Sequence, residues 1–172
     1  MTDAGAKERL LATLREERAR WEALLAEVGE ARLTEPGAAG AWSVKDVLGH
    51  LAAYHRFWGA RLRAEATGVP PTPWELFDTE AVPERFASEE EQNAAIHARY
   101  APLAADEVLA KWREASDLLE QGVAALPDEA IAPPDRFPWA GDRPLAEAMA
   151  GDTYRHAAEH AVGVRAWLAD GG

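Results

Sequence analysis

Cysteine is absent from the 172 residues of this sequence. Its absence excludes disulfide bonds, thiolate metal sites, iron–sulfur clusters and a cysteine nucleophile. Any thiol chemistry that the protein performs must therefore use a thiol supplied from outside the chain.

Long apolar stretches are also missing. No segment approaches the roughly 18 uncharged apolar residues that a membrane span requires. The N-terminus, MTDAGAKERLLATLREE, becomes charged at once and contains no apolar core of a secretory signal. We therefore expect a cytoplasmic protein that does not bind a membrane.

Positive charge is scarce. The formal net charge is −12, and the only lysines are Lys7, Lys45 and Lys111. Nucleic acids and anionic membrane surfaces bind clustered lysine and arginine side chains, but the arginines here are dispersed among acidic residues. We expect a small-molecule ligand and no nucleic-acid partner. A homodimer is one alternative for the oligomeric state.

Helical periodicity dominates what is present, and no segment alternates as a strand does. The predicted helices cover residues 5–30, 44–66, 89–99, 105–126 and 144–168. A chain of this length is sufficient for one domain, which we expect to span residues 1–172. Four long helices with long proline-rich connections predict an all-α protein, a single four-helix bundle without a sheet.

The second predicted helix has a clear start. Ser43 precedes an apolar run and Asp46 follows three residues later, which is a variant of the capping box. The helix that begins after Ser43 carries two histidines, His50 and His55, in the segment GHLAAYHRFW.

The segment HAAEH, at residues 156–160, lies in the last predicted helix. One stripe of that helix contains Leu145, Met149, Asp152, Thr153, His156, His160, Val164 and Trp167. Its apolar ends indicate that the stripe faces the core, where polar side chains need partners. Because side chains four residues apart are neighbours on a helix, His156 and His160 can reach one metal ion. The alternative is a pair of independent, solvated or hydrogen-bonded histidines.

A third ligand must come from upstream. HAAEH also matches the H-x-x-E-H pattern of inverted zincin proteases, with Glu159 as general base, but only twelve residues follow to supply a downstream ligand. In the second helix, His55 lies nearer than His50 to the centre of the apolar stripe, although an edge position can also face a central pocket. We expect His97, in a very polar segment, to lie outside the site.

The two histidine-bearing segments, GAWSVKDVLGHLAAYHRFW and DTYRHAAEHAVGVRAWL, resemble the DinB/YfiT-like superfamily of four-helix-bundle proteins. The resemblance is greatest to its ClbS/DfsB branch, and it extends to NAAIHARYAPLAADEVLAKWREA and FPWAGDRPLAE. It implies an up-down-down-up bundle and a divalent metal, zinc or nickel, held by three histidines. The matching positions are His50, which precedes Leu-Ala, and His156 and His160.

The superfamily includes transferases and isomerases that use mycothiol or bacillithiol, and the ClbS branch contains a protein that protects its host from a reactive genotoxin. The resemblance therefore implies a metal-dependent enzyme that hydrolyses a small electrophilic molecule or transfers an external low-molecular-weight thiol to it. The alternatives are a non-catalytic protein that sequesters such a molecule and a structural bundle. Candidates for orienting the ligands or lining a pocket are His55, Asp152, Glu159, Tyr54, Trp58, Trp42 and Trp139.

Overall fold

Four long helices form the body of the protein. The structure, a computed structural model, describes residues 5–78 and 87–171. Its helices are α1 (Ala6–Val28), α2 (Val44–Thr67), α3 (Pro73–Phe77), α4 (Glu89–Tyr100), α5 (Ala105–Ala125), α6 (Leu145–Ala150) and α7 (Tyr154–Ala169). Helices α1, α2, α5 and α7 pack around a shared apolar core, so the predicted all-α bundle is confirmed. None of the described helices is long and apolar enough to cross a membrane.

Helix α2 begins where the capping residues predict. The Ser43 hydroxyl oxygen accepts from the Asp46 backbone N–H at 3.2 Å, and the Asp46 carboxylate accepts from the Ser43 N–H at 2.9 Å. These two bonds satisfy amide groups that have no partner inside the helix. The start of the helix is thereby determined locally.

Helices α2 and α5 approach each other at two glycines. A Cβ atom on Gly59 would lie 2.8 Å from the backbone carbon of Leu118, and one on Gly122 would lie 2.9 Å from the Gly59 carbonyl oxygen. Real Cβ atoms do not approach other atoms so closely, so only glycine permits this backbone contact. It joins the helix that carries His50 and His55 directly to α5.

The prediction of one continuous helix over residues 144–168 is wrong. Helix α6 ends at Ala150 and α7 begins at Tyr154, because Thr153 has φ −124° and ψ −106°, outside the helical region. The Thr153 hydroxyl donates to the Met149 carbonyl at 2.7 Å and replaces a helical hydrogen bond there. The apolar spacing continues through the break, which is why the sequence pattern did not reveal it.

The expectation of no sheet is also wrong, though only for six residues. Strands β1 (Pro36–Ala39) and β2 (Trp42–Ser43) form an antiparallel ribbon. Strands of four and two residues are too short to show alternation in the sequence. The ribbon packs on α7, and Gly37, at φ 106°, brings its backbone close to the Trp167 ring.

The connection between α2 and α4 contains the short helix α3. Side chains from three neighbouring helices hold it: Arg56 donates to the Trp74 carbonyl, Arg99 donates to the Phe77 carbonyl, and Lys111 pairs with Asp78. The predicted proline-rich connection over residues 67–88 also includes residues 79–86, which lie outside the described part of the chain.

Substituting Gly59→Ala should lower the free energy of unfolding by roughly 1–2 kcal/mol, because the added methyl group meets backbone atoms that cannot yield. Gly151→Ala is the matched control, since Gly151 has φ −67° and no atom within 4 Å of its would-be Cβ. We expect the control to be neutral or slightly stabilising. Urea unfolding of the two variants measures the difference, and equal effects would show that the α2–α5 contact is not tight.

Candidate metal centre

Three histidines from two helices meet inside the bundle. The Nε2 atom of His50, on α2, lies 3.0 Å from Nε2 of His156, on α7, and the Nε2 atom of His160 lies 3.1 Å from the same atom. The three side chains offer ligand atoms that all lie within 4.8 Å of one another, so the group could hold a metal ion. The structure thus brings together the three positions that the family resemblance implied.

The distances between the nitrogens fit a divalent ion. Zinc–nitrogen bonds of about 2.0–2.1 Å at tetrahedral angles place two ligand nitrogens about 3.3–3.4 Å apart. The observed separations of 3.0 and 3.1 Å differ from that by a few tenths of an ångström, which small side-chain rotations can supply. The Nε2 atom of His156 carries one proton or one lone pair, so it can make one well-directed hydrogen bond but not two. Three lone pairs directed at a shared cation remove this conflict.

The environment keeps two of these imidazoles uncharged. Burial lowers the pKa of His50 to about 3, and the nearby His156 and His160 contribute to the same shift. Burial and His156 lower the pKa of His160 to about 4, against a smaller opposing effect of Glu159. Because a metal binds the neutral form of histidine, these two side chains need not lose a proton at neutral pH before they bind.

Aromatic rings surround the three histidines. The Trp42 ring lies 5.3 Å from the His50 ring, and the Tyr54 ring lies 5.1 Å from His50 and 5.3 Å from His156. The Tyr54 hydroxyl donates to the Asn93 side-chain oxygen at 3.2 Å. Burial, followed by the charges of Asp152 and Glu89, raises the pKa of Tyr54 to about 12. The phenol therefore keeps its proton over the whole physiological range.

A partly open cavity of about 80 Å³ lies on the other side of Tyr54. Its walls come from α2, α3, α4 and the break before α7, and they consist of Ala53, Tyr54, Phe57, Phe77, Gln92, Ile96, Arg99 and Asp152. The site therefore combines a metal-binding group with a partly apolar space that shares one wall with it.

The carboxylates predicted to orient the imidazoles have other surroundings. Asp152 accepts from the Trp58 indole N–H at 2.9 Å, and this bond ties α2 to the break between α6 and α7. Glu159 is exposed on α7. Neither carboxylate forms a hydrogen bond with the three histidines in the described part of the chain. The Trp139 indole donates to Glu65 at 2.6 Å and packs on Trp58, away from the histidines.

His55 points toward α5 instead of α7. The Ser116 hydroxyl donates to the Trp112 carbonyl at 2.8 Å, so its oxygen accepts from the Nδ1–H group of His55 at 3.1 Å. His55 also borders a cavity of about 20 Å³, room for about one water molecule. It therefore does not join the other three histidines.

His97 lies outside the group as well. Its Nε2 atom is 3.4 Å from an Asp46 carboxylate oxygen, and its ring stacks on Trp42 at 5.4 Å.

The comparison with known families identifies the chain. Residues 14–162 match the family described as the mycothiol maleylpyruvate isomerase N-terminal domain. The chain belongs to this family. The family is part of the DinB/YfiT-like superfamily, so the resemblance to the superfamily is confirmed, while the resemblance to the ClbS/DfsB branch stays a prediction.

Solved structures show the same fold. A protein from Streptococcus pneumoniae superposes with a TM-score of 0.76 at 15% identity, over 94% of this chain and 90% of that one. An uncharacterised protein from Escherichia coli UTI89 superposes with a TM-score of 0.74 at 12% identity, over 96% of this chain and 94% of that one. A comparison with curated proteins found no match.

Helix α4 also contributes to the site, which was not predicted from the sequence. Asn93 holds the Tyr54 hydroxyl, and Gln92, Ile96 and Arg99 line the cavity. The last three are spaced by four and three residues, which places them on one face of a helix. That spacing was a usable signal, but the high polarity of the segment concealed it.

In chelator-treated protein, the free energy of unfolding should fall as the pH falls from 7 to 5. Burial lowers the pKa of His55 to about 4, so below pH 6.5 the unfolded chain binds more protons than the folded one, and stability is lost as the pH falls. His55→Gln should reduce the decline by up to about 1.4 kcal/mol per pH unit in this range. Urea unfolding at several pH values measures both slopes, and parallel slopes would contradict a neutral buried His55.

Proposed function

We propose that this protein is a metal-dependent enzyme that acts on a small electrophilic molecule, by hydrolysis or by transfer of a thiol to it, in a detoxification or resistance role. The observation that carries the proposal is the convergence of three imidazole nitrogens within 4.8 Å. Nitrogen ligands suit zinc or nickel. The three groups come from separate turns of two helices, so the bundle itself supports the geometry.

The number of protein ligands favours catalysis over a purely structural role. An ion held by three histidines keeps a position for water or a thiol, and it lowers the pKa of whichever binds there. Structural zinc sites instead use four protein ligands. In the described part of the chain, this group consists of His50, His156 and His160 and includes no fourth protein ligand.

The origin of the thiol follows from the composition. Because the chain has no cysteine, a transfer reaction requires a separate low-molecular-weight thiol as a second substrate. The description of the family names mycothiol, which supports a co-substrate of this kind.

Tyr54 is the residue best placed to manage a proton. Its ring packs against His50 and His156, its hydroxyl is held by Asn93, and its raised pKa of about 12 keeps it protonated. In exchange for its bond to Asn93, the Tyr54 hydroxyl can donate a hydrogen bond to a substrate oxygen or nitrogen on which negative charge develops. The charge of Asp152 contributes to the raised pKa of Tyr54, and the same carboxylate accepts a hydrogen bond from Trp58.

Added Zn²⁺ or Ni²⁺ should raise the melting temperature by roughly 5–10 °C at 100 times Kd, because only the folded state offers the three nitrogens together. We expect His156→Ala to abolish the rise and His50→Ala to weaken it strongly. His55→Ala should retain most of it, and so should the matched control His97→Ala. Differential scanning fluorimetry, with each variant compared with its own metal-free form, provides the measurement.

Two outcomes of this titration would contradict the site. Suppose that His55→Ala loses the rise in melting temperature and His50→Ala retains it. The third ligand would then be His55 and not His50. An unchanged rise in His156→Ala would show that the ion binds elsewhere.

Catalysis and sequestration differ in stoichiometry. We expect the zinc-loaded protein to form many equivalents of product from a panel of an epoxide, an α,β-unsaturated ketone and an activated ester, offered with and without a thiol. Mass spectrometry of the products counts the turnovers, and His156→Ala is the control for background reaction. Product that stops at one equivalent per protein would support sequestration instead.

A further inference from the structure

The cavity next to the three histidines is larger than a packing defect around one water molecule. It measures about 80 Å³, whereas the cavity beside His55 measures about 20 Å³. Tyr54 is the wall that it shares with the metal centre, because the Tyr54 ring also contacts His50 and His156. A group that enters this cavity is therefore separated from His50 and His156 by the Tyr54 ring.

The walls of the cavity are mainly apolar. Phe57 and Phe77 face each other with ring centres 5.7 Å apart, and Ala53 and Ile96 complete the buried surface. The two charged residues of the lining already have protein partners. Arg99 donates to the Phe77 carbonyl, and Asp152 accepts from Trp58. Apart from the Gln92 side chain, the surface left for a ligand is thus mostly hydrocarbon, and it will bind a hydrocarbon group better than a charged one.

The volume limits the size of that group. An apolar protein cavity of about 150 Å³ holds a benzene molecule. A cavity of about 80 Å³ has about half that room. Space of this size suits a short aliphatic group of about three or four carbon atoms better than an aromatic ring.

We propose that the cavity bounded by Tyr54, Phe57, Phe77 and Ile96 is the specificity pocket of the metal centre, and that it selects substrates carrying a short, uncharged aliphatic group. This inference rests on the proposed function, since it assigns a substrate class to the same site. His50, His156 and His160 would hold the ion to which the reacting end of the molecule would bind, and the pocket would take the aliphatic end.

A series of simple thiols tests the proposal on the zinc-loaded protein. Ethanethiol, propanethiol, butanethiol, pentanethiol and phenylmethanethiol present the same sulfur with different hydrocarbon groups. Each methylene group buried in an apolar site contributes about 0.8 kcal/mol, which is about fourfold in affinity. We expect the affinity measured by calorimetry to rise about fourfold per methylene up to butanethiol and then to stop rising. Phenylmethanethiol should bind no better than ethanethiol.

Two variants change the pocket in opposite directions. Ala53→Leu fills it and should remove the dependence on chain length. Ile96→Ala enlarges it. This variant should extend the rise in affinity to pentanethiol and increase the affinity for phenylmethanethiol by at least about tenfold. Ala66→Leu, an exposed position on the same helix, is the matched control and should behave as wild type. Circular dichroism verifies that each variant is folded, and zinc affinity is measured separately for each.

The outcomes separate this inference from the proposed function. Thiols that bind with equal affinity at every chain length would overturn the pocket and leave the metal centre intact. A dependence on chain length that persists in Ala53→Leu and is unchanged in Ile96→Ala would place the hydrocarbon elsewhere and would also overturn it. Failure of the wild-type protein to bind zinc would overturn the metal centre and the pocket with it.

Discussion

The backbone contact between α2 and α5 is the constraint on which the arrangement of the site depends. Gly59 and Gly122 allow the two helices to meet without intervening side chains, so α2 has a determined distance from α5 and a determined rotation about its own axis. Given that rotation, His55 faces Ser116 on α5, and His50 faces α7. The same orientation presents Trp58 to Asp152. One close contact therefore distributes the polar side chains of α2 among different neighbours.

The histidines at the centre of the bundle lower the stability of the metal-free protein. The Nδ1 atoms of His50 and His156 are buried without a hydrogen-bond partner in the described part of the chain, and burial disfavours the charged form of His50. Unpartnered buried polar groups typically destabilise a protein by about 1–3 kcal/mol each. A packed bundle of this composition could fill the same space with aliphatic side chains. The proposed metal site accounts for the presence of three imidazoles at one point of this core.

Local signals in the sequence were sufficient for much of the fold. The capping pair Ser43 and Asp46 predicted the start of α2, and the apolar periodicity predicted the long helices, because both are determined by residues within a few turns. The polar interruption of the last stripe singled out His156 and His160. The choice between His50 and His55 could not be made from one helical wheel, since α2 packs against both α5 and α7 and each histidine faces one of them. The cavity required the third dimension, because its walls come from helices distant in sequence.

The break between α6 and α7 has a consequence for how the chain tolerates changes in length. Because Thr153 ends the helical path, α7 starts as a separate helix at Tyr154. Residues gained or lost between Ala125 and Leu145 would disturb the packing of Ile131 and Phe137, which are buried in the core. One residue inserted inside α7 between His156 and His160 would turn the second imidazole by about 100° away from the first. The spacing of the two histidines must therefore remain four for both imidazoles to face the same point.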